Sequence, residues 1–265
     1  MSLGVVIKGS DGVVLAVDSR VTLDALWPGM PPITINFDNA SKFLHFSHPH
    51  DFVGAITYGT AVIGKRTAHS FIPEFEQNVL SKSAGRLKVI NYARKLSDFY
   101  MARWQELMPK AYKGLPINFI VGGYDIGEPY GSVYLFRIPD KPKPEPRNPD
   151  DFGMTWGGQL EIASRIIQGC DPRFINVVKN TLKLNDDQVK LLMTELRKNL
   201  EFPIPYDILP LQDSVDLAIF LIRSTITAQR LAIGIRGVGG LIEVATVKRT
   251  QKLTFIQKKE IKGES

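Results

Sequence analysis

Apolar residues change their spacing several times along this chain, and each change marks an element. Val5, Val6 and Ile7 form a short unbroken apolar run; Ser10, Asp11 and Gly12 make a turn; Val13, Val14, Leu15, Ala16 and Val17 form a second run. Two runs rich in β-branched residues and joined through Asp-Gly predict a hairpin. Neither run alternates with polar residues, so both strands are expected to be covered on both faces. Residues 23–41 carry Pro28, Gly29, Pro31, Pro32, Asn36 and Asn39 and read as a loop or irregular crossing. A further strand pair is expected at residues 43–46 and 52–57, turned by residues 47–51.

From Thr60 the period becomes helical. Val62, Ile63, Ala68, Phe71, Ile72, Phe75 and Val79 approximate one face, and Leu87, Ile90, Ala93, Leu96, Phe99 and Tyr100 continue to about Met108. Two consecutive amphipathic helices are expected. Strands resume at 117–121 and 132–137. The five prolines between Pro139 and Pro149 predict an exposed loop rather than a domain linker. A third helix is expected from about Gly158 through 167. Residues 170–213 read as an additional helical segment, with helices at 174–182 and 186–200 and a return through Pro203, Pro205 and Pro210. Another helix is expected at about 214–230, then strands at 240–247 and 253–256. Strands flanked by helix pairs predict an α+β chain with sheets packed face to face and helices outside. A length of 265 residues makes one domain over 1–265 the default.

Composition narrows the function classes. Hydrophobic residues at 44% and charged residues at 23% are ordinary for a soluble globular chain and argue against wholesale disorder. The net charge of +6 is concentrated towards the C-terminus, in Lys248, Arg249, Lys252, Lys258, Lys259 and Lys262. No arginine-and-aromatic platform accompanies it, so a solvated strand and tail is preferred over a nucleic-acid partner. Cys170 is the sole cysteine, which leaves no intrachain disulfide. Lys8 and Asp11 interrupt the leading apolar run too early for a signal-peptide core, and no apolar run approaches the roughly 20 residues that span a bilayer. A cytoplasmic chain without a membrane contact is expected.

Candidate chemistry begins at the N-terminus. Ser2 follows the initiator Met, and a small second residue permits Met removal. That would leave an α-amine beside a hydroxyl on one residue, and an α-amine with an ordinary pKa of about 7.7–8.0 is partly a neutral base near neutrality. Ser2 alone carries little weight, because position two is often small for processing reasons. Its neighbours add more. Val5-Val6-Ile7-Lys8-Gly9, Asp11-Gly12-Val13-Val14-Leu15-Ala16 and Asp18-Ser19-Arg20-Val21-Thr22 closely resemble the opening of proteasome β-type subunits, which are N-terminal-nucleophile hydrolases. Ile120-Val121-Gly122-Gly123-Tyr124-Asp125 and Gly239-Gly240-Leu241-Ile242-Glu243-Val244 resemble later segments of the same family. The similarity covers residues 2–169 and 214–248.

The resemblance implies a four-layer αββα sandwich of two antiparallel sheets, with the helices of 170–213 as an insertion. It also implies site residues. Counted back from Asp18, the family's nucleophile falls on Ser2. Asp18 would orient a lysine, and Ser41-Lys42-Phe43-Leu44 matches the stretch that carries it, so Lys42 would lower the pKa of the Ser2 hydroxyl. Ala55-Ile56-Thr57-Tyr58-Gly59 resembles the segment whose glycine N–H supports the oxyanion, here Gly59 ahead of a helix. Thr22, Thr57 and Tyr58 would line the substrate strand and first specificity pocket.

Three departures stand against that pattern. The nucleophile would be Ser rather than Thr, a helper Ser is replaced by Gly157, and a late Asp and Ser have no counterpart in 231–239. They suggest a divergent bacterial or archaeal homologue related to HslV and the Anbu-like groups. The implied activity is peptide-bond hydrolysis on peptide or unfolded-protein substrates, without a cofactor, inside a homo-oligomeric ring. A catalytically inactive ring-forming scaffold and a non-peptidase amidase or transpeptidase are the alternatives. No phosphate-binding glycine loop is present, so any ATP-driven unfolding would come from a separate ATPase. His45, His48, His50 and Asp51 read as polar turn residues rather than metal ligands, and Cys170 as a buried small hydrophobe.

Overall fold

The computed structural model describes residues 2–25, 29, 33–83, 85–234, 236–261 and 263. In chain order, β1 (Leu3–Lys8) and β2 (Val13–Asp18) form the expected hairpin, and every residue of both is buried. β3 (Val21–Ala25) and β4 (Ile33–Phe37) make a second hairpin, followed by β5 (Phe43–His45), β6 (Val53–Gly59), β7 (Val62–Ile63) and β8 (Arg66–Thr67). A helical run then passes through a 3-10 turn at Ala68–Phe71, α1 (Ile72–Phe75) and a π turn at Glu76–Leu80, and α2 (Val89–Leu107) follows. Next come β9 (Ile117–Gly123), β10 (Ser132–Ile138), β11 (Lys141–Arg147) and β12 (Gly153–Gly158). The chain continues through α3 (Glu161–Gln168), α4 (Phe174–Leu182), α5 (Asp186–Leu200), α6 (Leu211–Leu231), β13 (Ile242–Val247) and β14 (Thr254–Gln257). No helix among the described residues is long and apolar enough to cross a membrane.

Two five-stranded sheets organise these elements, ordered β12-β1-β2-β13-β14 and β11-β10-β9-β6-β5, with antiparallel neighbours throughout. Side-chain alternation sends the residues of the central strands into two separate cores. From β1, Leu3, Val5 and Ile7 join Ala163, Val215, Ala218 and Leu221 of α3 and α6, whereas Val6 meets Ile56 and Ile120 of the other sheet. From β6, Val53 and Ala55 face Tyr92, Leu96 and Tyr100 of α2. The continuous apolar run of β1 thus feeds two cores at once, which is why it lacks the polar alternation of a half-exposed strand.

Three local readings need correction. Residues 62–67 are not helical: the β-branched Val62, Ile63 and Thr67 form a small hairpin around Gly64 (φ 62°), and helical turns begin only at Ala68, with Pro73 in the first turn of α1. Residues 141–147 are a strand. Pro142, Pro144 and Pro146 recur at every second position of β11, so on this sheet edge the missing N–H groups can all lie on the unpaired side. Residues 23–41 contain the β3–β4 hairpin, its turn lying largely outside the described residues. The glycine-rich β12 gave no strand pattern, yet it pairs with β1 along its length, from Leu3 opposite Gly158 to Lys8 opposite Gly153.

Candidate active site

The centre of the site is the carboxylate of Asp18, at the end of β2 and without solvent exposure. Its two oxygens accept from four donors. Oδ1 takes the Leu3 N–H at 3.1 Å and the Lys42 ammonium at 2.9 Å. Oδ2 takes the Arg20 N–H at 3.2 Å and the Gly239 N–H at 3.0 Å. Three backbone donors and one cation thus satisfy a carboxylate that burial alone would penalise heavily. The same contacts pin the first peptide of β1, the strand that directly follows Ser2.

Lys42 enters from the segment before β5 and is 6% exposed. Burial pushes its ammonium below the ordinary lysine value, against the opposing pull of Asp18. Thr57 holds the lysine from behind. Its N–H and hydroxyl both donate to the Lys42 carbonyl, at 3.0 and 3.3 Å. Ser2, 3% exposed, gives its carbonyl to the Gln159 N–H at 2.8 Å.

Ser2, Lys42, Thr57 and Tyr58 line one narrow cleft, together with Val21, Ser41, Thr60, Ala61, Thr67 and Ala68. Five of the sequence-predicted residues therefore meet: Asp18, through its ion pair, and the four that face the cleft. Thr22 does not reach it. Its hydroxyl donates to Asn36 at 2.8 Å across the β3–β4 hairpin, and Val21 takes the place at the cleft. Gly59 lies between two lining residues, Tyr58 and Thr60, and ends β6 at φ 102°, where a Cβ would fall 2.2 Å from the Pro116 carbonyl oxygen. The helix expected immediately after Gly59 starts instead at Ala68, so the Gly59 N–H is not at a helix N-terminus.

Tyr58 explains the glycine at 157. Gly4 and Gly157 are directly opposed on β1 and β12, and a Cβ on Gly157 would lie 2.2 Å from both Cζ and Oη of Tyr58. The ring occupies the room of a side chain at 157. Burial raises its phenol to about 12, so it stays protonated near neutrality. Two contacts had no signal in sequence: the Gln159 clamp on Ser2 and the Gly239 donor to Asp18 are both backbone N–H groups, which any non-proline residue can supply. The lining by Thr67 and Ala68 was hidden by the helical reading of 60–79.

Among the described residues no cluster of His, Cys, Asp and Glu is suited to hold a metal ion. The cleft thus brings Ser2 together with a buried ammonium that is paired to a buried carboxylate.

No family model and no curated protein matches the sequence. Solved structures do. The helical assembly of the Anbu complex from Pseudomonas aeruginosa aligns with a TM-score of 0.60 at 17% identity, over 97% of this chain and 88% of that one. Anbu (ancestral beta-subunit) from Yersinia bercovieri aligns with a TM-score of 0.56 at 16% identity, over the same shares of each chain, 97% and 88%. Identity this low speaks to backbone architecture and leaves chemistry open. The chain shares the mixed α+β, proteasome-like fold of the Anbu proteins.

Proposed function

We propose that this chain is a proteasome-type peptidase subunit that hydrolyses peptide bonds through Ser2 after loss of Met1. The observation that carries the reading is the buried Lys42–Asp18 pair opening onto the same cleft as Ser2. In this mechanism the Ser2 Oγ attacks the scissile carbonyl carbon while its proton passes to the Ser2 α-amine. The Lys42 ammonium stabilises the developing alkoxide, and Asp18 keeps that ammonium in place. The Gly59 N–H, between two lining residues, serves the oxyanion. The protonated amine then gives its proton to the leaving amine, and water hydrolyses the serine ester.

In this reading the two sheets and their covering helices are the four-layer αββα sandwich of N-terminal-nucleophile hydrolases, forming one domain with α4 and α5 as an inserted pair. Assembly into a closed ring or helical array belongs to the proposal. Its support is the helical Anbu assembly and the exposed apolar side chains of this chain, Ile33, Ile35 and Phe37 on β4 among them. Substrates would be peptides or unfolded proteins delivered by a separate ATPase in the cytoplasm.

A second reading is an inactive scaffold subunit. The occupation of the 157 position by Tyr58 favours it, because no small hydroxyl side chain fits there. Intact mass with and without a peptide-based electrophile separates the two. An active enzyme lacks Met1 and gains one adduct that Ser2→Ala abolishes. A chain that retains Met1 excludes the mechanism, and a processed chain that never labels is the scaffold.

A further inference from the structure

Both ends of the Ser2–Asp18 arrangement are tied to one side chain on α6. Gln159, whose N–H holds the Ser2 carbonyl at 2.8 Å, receives at its side-chain oxygen the Nε2–H of Gln229 at 3.2 Å. The Oε1 of the same Gln229 accepts the Val238 N–H at 2.9 Å. The next residue, Gly239, donates its N–H to Asp18 at 3.0 Å and accepts the Ser19 N–H at 3.1 Å. One amide thus acts as donor towards the nucleophile's strand and as acceptor towards the segment that holds the carboxylate. A primary amide is the side chain that does both with a fixed separation between the two functions. The segment 236–239 lies outside any helix or strand; Val238 is buried in the core under α3 and α6, and Arg20 Nη1 donates to the Arg236 carbonyl at 3.2 Å.

We propose that Gln229 is a positioning residue for this site: it sets the Ser2 carbonyl clamp and the Asp18 donor at a fixed distance from each other, and so fixes the Ser2 end of β1 relative to the Lys42–Asp18 pair. The catalytic part rests on the peptidase reading above. The physical reason is geometric. Ser2 lies directly before β1, and strand ends fray unless tied. Misplacing a reacting group by about 1 Å costs up to roughly a hundredfold in rate.

The test pairs two readouts on the full-length protein. In Q229A, labelling of Ser2 by the peptide-based electrophile is expected to lose about tenfold in kinact with Ki unchanged, because alignment is lost and not binding. Hydrogen–deuterium exchange of the 236–240 segment is expected to rise by about tenfold, with the Gln212→Ala variant at the far end of α6 as the control. Q229E keeps an acceptor for Val238, so exchange of the 236–240 segment in it should stay within about threefold of the parent. Q229A matching the parent in both readouts would overturn the proposal. So would equal kinetic losses in Q229A and Q229E with unchanged exchange, which would mean simple packing. If the parent itself never labels, the peptidase reading fails, and the exchange measurement alone decides the tether: faster exchange in Q229A supports it, unchanged exchange ends it.

Discussion

Lys42 and Asp18 are costly residues to bury, and the structure places them where only a function or a tight internal network keeps them. Removing the cation leaves a carboxylate with three backbone donors but no countercharge. Lys42→Met is therefore expected to destabilise the chain by about 3 kcal/mol in denaturant titration, and to abolish electrophile labelling at Ser2. Full labelling in that variant would remove lysine from the mechanism. The lysine also has a signature in pH. Its folded pKa lies below the ordinary 10.5, so between the two values the unfolded chain binds more protons, and this group makes stability rise with pH across that window. The glycine at 157 has a comparable test. Gly157→Ser drives a side chain into the Tyr58 ring and is expected to cost about 1–3 kcal/mol. Tyr58→Ala combined with Gly157→Ser should recover part of that loss, which a double-mutant cycle measures.

At the scale of elements, the segment from β5 to the helical run around α1 gathers all four histidines of the chain, three of which, His45, His50 and His69, are perturbed by their surroundings. Burial is the leading cause that lowers each below the ordinary 6.5. For His45, Lys258 and His69 add to the lowering and Glu76 opposes it. Lys258 and Lys259 act in the same direction on His69. For His50, Arg86 and His48 lower the value, and Glu76 and Asp51 raise it. A folded pKa below the unfolded one means that the unfolded chain takes up protons first. Stability from these groups is full above about pH 6.5 and declines as pH falls from there. Thermal melts between pH 7.5 and 5.5 should show that decline, and His50→Phe should flatten it. An unchanged slope in that variant would assign the acid sensitivity elsewhere. The helices α4 and α5 contrast with this crowded region. They contain no buried residue, although α5 carries a complete capping box between Asn185 and Gln188. Local signals hold those helices more than packing does.

The whole molecule presents more exposed apolar surface than its sheets need. On β4, Ile33, Ile35 and Phe37 are 42%, 39% and 54% exposed and alternate along one face of a hairpin outside the main sheets. Subunit association is the physical outlet for such a face. Light scattering at micromolar concentration should give a mass well above one chain, and the Ile35→Asp/Phe37→Asp pair should lower it. A monomer under those conditions would remove ring or helical assembly from the proposal, while leaving the Ser2 chemistry to stand or fall separately.

Order along the chain was enough to define most elements. The β1–β2 hairpin, the β5–β6 and β9–β10 pairs, α2, α4, α5 and α6 follow from period and turn residues, because those signals are local. Where the signal was local but ambiguous, as at residues 62–67 and 141–147, pairing with a neighbour decided for strand. Ser2, Asp18 and Lys42 could be chosen from sequence, through the resemblance that their flanking runs carry. Their meeting was implied there only by the resemblance, and residue types and spacing alone did not give it. It depends on β1 lying between β2 and β12, on β5 reaching the same end of the sheets, and on Gly239 returning beside Asp18 from 221 residues away. Backbone donors such as the N–H groups of Leu3, Gln159 and Gly239 have no residue type of their own. Only the packed chain selects which of them face a buried carboxylate or carbonyl, because leaving those groups unpaired away from water costs more than bringing distant segments together.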